Sequence, residues 1–167
     1  YNVNDLTANV TAKVGDKNEW RFFLNGFTEY SETPGGLSQA QWEQDPEQSV
    51  NPHDFFEARR FSTAISYKRS FDETNSLTTS VYGSYLKRDW WLDNRNATAS
   101  KRKFIAALRD IPTVGLFSDY ERTNTLFSKE NKLLAGIRLH TDVTHEVSVA
   151  GDEMGKKAGK TTANSAN

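Results

Sequence analysis

Two basic doublets stand beside aromatic residues in this chain. Arg59 and Arg60 follow Phe55 and Phe56, and Lys87 and Arg88 precede Trp90 and Trp91. A guanidinium presents a planar fork that grips a carboxylate through two parallel hydrogen bonds. Arg59, Arg60, Arg88, Trp90 and Trp91 therefore suit an anionic ligand such as a carboxylate chelate. For any one of them, interfacial anchoring or solubility is the competing reading. Other chemistry is weaker. Gly159-Lys160-Thr161 matches the end of a phosphate-binding loop, but Met154 stands where the first glycine belongs. His53, His140 and His145 offer no pair at metal-ligand spacing on a helix. His140 and His145 lie with Asp142 and Glu146 near a strand end, where a solvated loop is the better reading than a metal site. Asn96-Ala-Thr is a weak glycosylation match. No Ser/His/Asp triad and no acid–base carboxylate pair can be argued. No catalytic residue, metal ligand or directly bound cofactor is assigned.

The elements that would hold these residues are strands. Leu6, Ala8, Val10, Ala12 and Val14 alternate with Thr7, Asn9, Thr11 and Lys13, the period-two signature of a strand with one apolar face. Gly15–Asn18 is turn chemistry. Trp20, Phe22 and Leu24 then alternate with Arg21, Phe23 and Asn25. Phe61, Ile65 and Tyr67 share one face, opposite Arg60, Ser62, Ser66 and Lys68. Asp72–Asn75 is a second tight turn, after which Leu77, Thr79, Val81, Gly83 and Tyr85 fall together. The segment 103–112 reads as a short helical turn or a loop ending at Pro112. A strand-like run, a looser turn near 123–131 and a further strand with Leu133, Ala135, Ile137 and Leu139 on one face complete the pattern. Beyond Val149 the chain is low in complexity and reads as mobile.

About six strands in three hairpins result. Links within hairpins are short, whereas those between hairpins are long, at 31–56 and 89–112. Gly35 and Gly36 would shape the first of these loops. Short and long links alternate strictly, as in an up-and-down outer-membrane barrel with short turns at one end and long loops at the other. Loops of such length are unusual in a soluble sandwich. The chain has 167 residues, a net charge of −1 and no cysteine. That balance gives no field for nucleic acid, and no disulfide scaffold or thiolate zinc site is possible. The hydrophobic fraction is 36% while aromatics reach 12%, against roughly 45–50% apolar for an ordinary domain. A thin apolar band around a wet interior would produce that combination, with Trp and Tyr at the interfaces. Without a leader before Tyr1, the chain is expected to be a mature or excised segment.

"YSETPGGLSQAQWEQDPEQSVNPHDFFEARRF", "SFDETNSLTTSVYGSYLKRDWW", "TVGLFSDYE" and "NKLLAGIRLHTD" together resemble the barrel of TonB-dependent outer-membrane receptors, in the ferric citrate and ferric siderophore branch. The resemblance implies a barrel of roughly 22 strands with an N-terminal plug, coupled to an inner-membrane TonB complex, in the outer membrane of a Gram-negative bacterium. Neither plug nor coupling motif is visible. The expectation is an all-β, antiparallel up-and-down transmembrane segment over 1–149, followed by a mobile tail or extracellular loop at 150–167. Its ligand would be ferric citrate or a ferric siderophore, carried as cargo past outer-membrane lipid. A soluble β-sandwich binding module and a passive porin are the alternatives.

Overall fold

The computed structural model describes residues 1–33, 35–93, 104–151 and 159–166. Its strands are β1 (Asn2–Val14), β2 (Asn18–Glu32), β3 (Phe55–Ser70), β4 (Asn75–Asp93), β5 (Phe104–Leu126), β6 (Lys129–Asp142), β7 (His145–Gly151) and β8 (Gly159–Ala166). They form one sheet in the order β1-β2-β3-β4-β5-β7-β8, with β6 also paired to β5. Every pairing is antiparallel. Among the described residues there is this one sheet, where a sandwich would have two.

The tight turns lie at one end. Gly15 takes φ +65 in the link from Val14 to Asn18. At the next turn the Asp72 carboxylate accepts from the Thr74 N–H at 2.7 Å, from the Thr74 hydroxyl at 2.7 Å and from the Asn75 amide at 2.7 Å and 2.8 Å. These bonds close a turn that contains no glycine. Phe127 and Ser128, at φ 52 and 62, form a two-residue turn between β5 and β6 where a looser link was expected. Two successive positive φ values match the twist of the strands they join.

The strands are longer and more numerous than the pattern suggested. Residues 104–112 are neither helical nor loop: they open β5, paired with β4 from Asp93↔Phe104 to Tyr85↔Pro112. Cross-strand pairing overrides a local pattern in which both faces are apolar. The second long connection shrinks accordingly, since β4 runs to Asp93 and 94–103 lie outside the described residues. The first runs from 33 to 54 and carries a helix, α1 (Gln39–Gln44). Ser38 and Gln41 form a capping box at its start. A further strand, β7, closes the expected barrel segment and ends at Gly151, and β8 falls within the stretch 150–167 expected as a tail; the two pair from His145↔Ala166 to Gly151↔Gly159.

β6 and β7 are one strand in two pieces. Asp142 pairs with Thr113 and His145 with Asp110, so the intervening residues stay in register opposite Pro112. Proline has no N–H to give the ladder. The Val143 N–H still donates to the Pro112 carbonyl at 3.2 Å.

Packing is concentrated at the loop end. Phe55, Trp91, Phe104 and Ala106 form a buried cluster, with Leu108 and Val149 against it. Rings stack there at 5.1 Å between Trp91 and Phe104, and at 6.2 Å between Phe55 and Trp91. Asp54, 1% exposed, ties the first loop to the end of β4 by accepting from the Asp93 N–H at 2.6 Å and from the Asn51 amide.

Candidate functional site

Register sorts the side chains into two faces. One carries the rows Val10–Phe22–Ile65–Val81–Leu116–Leu139 and Leu6–Gly26–Phe61–Tyr85–Pro112, with Ala12–Trp20–Tyr67–Thr79–Ser118–Ile137 toward the turns. Its large apolar side chains are open: Val10 is 59% exposed, Val81 51% and Leu139 61%. A contiguous apolar surface of this size needs a covering. The other face carries Thr11–Arg21–Ser66–Ser80–Phe117–Arg138 and Thr7–Asn25–Ser62–Ser84–Thr113–Asp142, and it is mostly polar. Trp20 and Tyr67, with ring centroids 4.7 Å apart, mark the turn-side margin of the apolar face. Tyr85 marks the loop-side margin.

The basic doublets are split by this parity. Arg60 lies on the polar face. Its Nη2 donates to Asn25 Oδ1 at 3.3 Å, and its guanidinium sits 5.3 Å from the Phe27 ring centroid. Asn25, itself buried, donates to Asp5 at 2.6 Å and to Thr7 at 2.8 Å. Arg88 is also on the polar face, between Ala58 and Arg109 in register. Its Nε is buried with no hydrogen-bond partner. Arg109 pairs with Glu146. Trp90 follows on the same face, 42% exposed. Arg60, Arg88, Arg109 and Trp90 thus share the polar face of three successive strands toward the loop end.

Arg59 and Trp91 stand apart from that group. Arg59 is on the apolar face, just beyond the band, opposite Lys87. Trp91 is 3% exposed inside the aromatic cluster, where it holds the strand ends together and offers no surface to a ligand. Gly35 has φ +78, and a Cβ there would meet Asn51 and Val50 at 3.0 Å; Gly36 has open space. In the first loop Asp54 is structural, whereas Trp42 on α1 points outward, 58% exposed. Arg109 was missed because it sits in 104–112, the segment read without a strand period.

A second polar network lies deeper on the same face. The Tyr82 ring crosses Gly115 and its hydroxyl meets His140 Nδ1 at 2.9 Å. The same hydroxyl accepts from Arg138 Nε at 3.1 Å and Nη2 at 3.0 Å. One phenol therefore ties β4 to β6 across β5, and it fits only because residue 115 has no side chain.

No family model matches the chain, and no curated protein sequence matches it either. A solved structure does: the crystal structure of the ferric citrate transporter FecA in the unliganded form. It is similar over 97% of this chain with a TM-score of 0.84 and 17% sequence identity. The fold is that of a segment of FecA. The chain spans 24% of that transporter's length, in agreement with the antiparallel, up-and-down barrel piece expected from the sequence.

Proposed function

We propose that the chain is part of an outer-membrane barrel that imports an anionic ferric chelate, ferric citrate or a ferric siderophore, driven by a TonB energy-coupling complex. The apolar face meets lipid, between Trp and Tyr margins, and the polar face lines the lumen. No bond of the cargo is made or broken. The first loop and the ends of β4 and β5, at Asp93 and Phe104, stand at the end where the chelate would arrive.

The observation that carries this reading is the arginine set on the polar face. Arg88 and Arg109 are directly opposite each other on neighbouring strands, where like charges repel. Among the described residues, Arg109 pairs with Glu146 and Arg88 has no carboxylate partner. A carboxylate-rich anion seated between the two guanidiniums would relieve the repulsion and bind through charge-assisted forks. FecA carries ferric citrate by its name, which supports a cargo of this class.

The test is equilibrium binding of ferric citrate and ferric siderophores to the complete barrel. A hydrogen bond to a charged group contributes about 1.5–3 kcal/mol, so Arg88→Ala and Arg109→Ala should each weaken the cognate chelate about 10- to 100-fold. Arg59→Ala, on the opposite face, should leave affinity within about twofold. Unchanged affinity in both polar-face variants would overturn the proposed site. Ion conduction without saturable chelate binding would favour a passive porin instead.

A further inference from the structure

We propose that Tyr82, His140 and Asp142 form a pH-operated latch that holds Arg138 against the wall of the lumen at neutral pH and releases it in acid. The proposal rests on the reading of the polar face as the lumen wall, and it concerns a cluster deeper in the sheet than the arginines at the loop end.

The count of hydrogens fixes the starting state. The Tyr82 hydroxyl accepts from Arg138 Nε at 3.1 Å and from Nη2 at 3.0 Å. A guanidinium has donors only, so both of these bonds end on the phenol oxygen. The single phenol hydrogen is left for His140 Nδ1, 2.9 Å away. Nδ1 is then an acceptor, and the neutral ring carries its own hydrogen on Nε2. Nε2 faces Asp142 Oδ1 at 3.4 Å, longer than a charge-assisted bond. One imidazole therefore stands between a phenol that needs it neutral and a carboxylate that would hold it charged.

A proton on Nδ1 removes that acceptor. The phenol hydrogen loses its place, and an imidazolium and a guanidinium crowd one oxygen. Like charges so close repel, whereas Asp142 gains an ion pair by drawing the ring toward itself. His140 leaves Tyr82, and the phenol, no longer fixed across Gly115 from β6, gives up Arg138. The other groups facing the cluster do not reverse this order. β5 places Thr113, Gly115 and Phe117 beside it, and none of these titrates. On β4, Ser80 and Ser84 flank Tyr82 along the same face. Asp119 is one row turn-ward of Arg138, opposite Gly136, yet Arg138 belongs to no ion pair among the described residues. The His140 and Asp142 side chains are 39% and 54% exposed, so protons in water reach them. Release adds a free guanidinium at a deeper level than Arg88 and Arg109, where an anionic cargo would meet it only in acid.

The experiment uses the complete barrel in detergent micelles, with nitrogen-15 in the His and Arg side chains. NMR follows it from about pH 8 to about pH 5, the range in which an imidazole titrates. At the upper end His140 should be the Nε2–H tautomer, and Arg138 Nε–H should exchange at least about tenfold more slowly than free arginine at the same pH. As His140 takes up its proton, that protection should fall below about threefold with the same midpoint. Sulfate, a dianion throughout this range, should then shift the Arg138 signal with an affinity at least about fivefold higher than at the upper end. His140→Gln, which cannot titrate, should abolish both effects of pH. Tyr82→Phe, which keeps the ring and removes the hydroxyl, should leave Arg138 unprotected throughout. An Nδ1–H tautomer at the upper end, or protection that persists once His140 is protonated, would overturn the proposal. Lost protection without a gain in sulfate affinity would overturn it as well, because Arg138 would have moved to Asp119 and not into the lumen. These readings on the wild type decide the matter even where a variant fails to fold. Ferric-citrate binding is measured on the same barrel. Its absence would count against the transport reading alone, since the latch requires only a water-filled lumen.

Discussion

Ile65 and Ser62 are three residues apart on β3 and face opposite ways, so the same substitution at each separates lipid from lumen. Ile65 lies in the middle of five rows, from Arg69 through Tyr67, Ile65 and Thr63 to Phe61 along its own strand. Each row is two residues, about 6.7 Å along the strand. With a tilt of about 40°, that is about 5 Å along the membrane normal. The five rows therefore cover about 20 Å, close to the apolar height of such barrels, and Ile65 is about 10 Å from either edge. An arginine at that depth costs about 2–4 kcal/mol. Ser62, flanked in register by Asn25 and Ser84, is on the polar face, the lumen side of the proposed barrel, where arginine should cost less than about 1 kcal/mol. The assay is reversible folding of the complete barrel into phospholipid vesicles, titrated with guanidinium chloride. Ile65→Arg should lower stability by at least about 2 kcal/mol more than Ser62→Arg. The opposite order, or equal costs, would refute the face assignment and with it the inward placement of Arg60 and Arg88.

Three further outcomes are expected. Gly115→Ala puts a Cβ 2.3 Å from the Tyr82 phenol, so the ring must leave His140 and Arg138; the variant should lose about 1–3 kcal/mol, and adding Tyr82→Ala should recover part of it in a double-mutant cycle. Asp54→Ala leaves the Asp93 N–H without its buried acceptor, at a local cost of about 1–3 kcal/mol, seen as faster hydrogen exchange at residue 93 and across 33–54 with the apolar band unaffected. The hydrogen bonds from Thr74 and then Asn75 lower the Asp72 carboxyl from its ordinary 3.8 to about 2. A depressed value means stability that is complete above the unfolded pKa and lost as pH falls through about 2. Carbon-detected NMR titration of the folded barrel should find that midpoint, and a value near 4 would mean the turn is not closed by this side chain.

The faces were legible in the sequence because period two survives wherever one side of a strand is apolar and the other polar. Val10, Phe22, Ile65 and Leu139 all fall on the side that alternation assigns. Legibility ends where that contrast ends. In 104–108 both parities are apolar, since Phe104, Ala106 and Leu108 pack in the loop-end cluster while Ile105 and Ala107 take the other face, so the segment showed no period. β8 lies beyond the apolar rows and needs no apolar side, and "GKTTANSA" therefore resembled a tail. Phe127-Ser128 adopts a turn usually marked by Asn and Gly, and nothing in its composition announces that. The capping box at Ser38 and Gln41 was present as a pattern, yet a six-residue helix in a polar loop has no apolar stripe to reveal it. The inward member of each basic doublet required the register itself, because a slip of one residue exchanges the faces. The missing period hid Arg109, and the dependence on register kept Trp91 among the ligand candidates.

Pro112 gives the sheet a seam. Its missing N–H leaves one carbonyl of the β6–β7 strand without a ladder donor, at the level of Phe61 and Tyr85, the loop-side margin of the apolar face. One turn-ward step of four residues would place the same vacancy among Val81, Leu116 and Leu139, and an unpaired carbonyl in hydrocarbon costs several kcal/mol. The proline therefore sits near the deepest level at which it is cheap. It also stands where the β5–β6 and β5–β7 pairings meet, so the ladder is weakest between them. Amide exchange in the whole barrel should fall into two classes along this strand, faster from 145 onward and slower before 142, with the step at the proline.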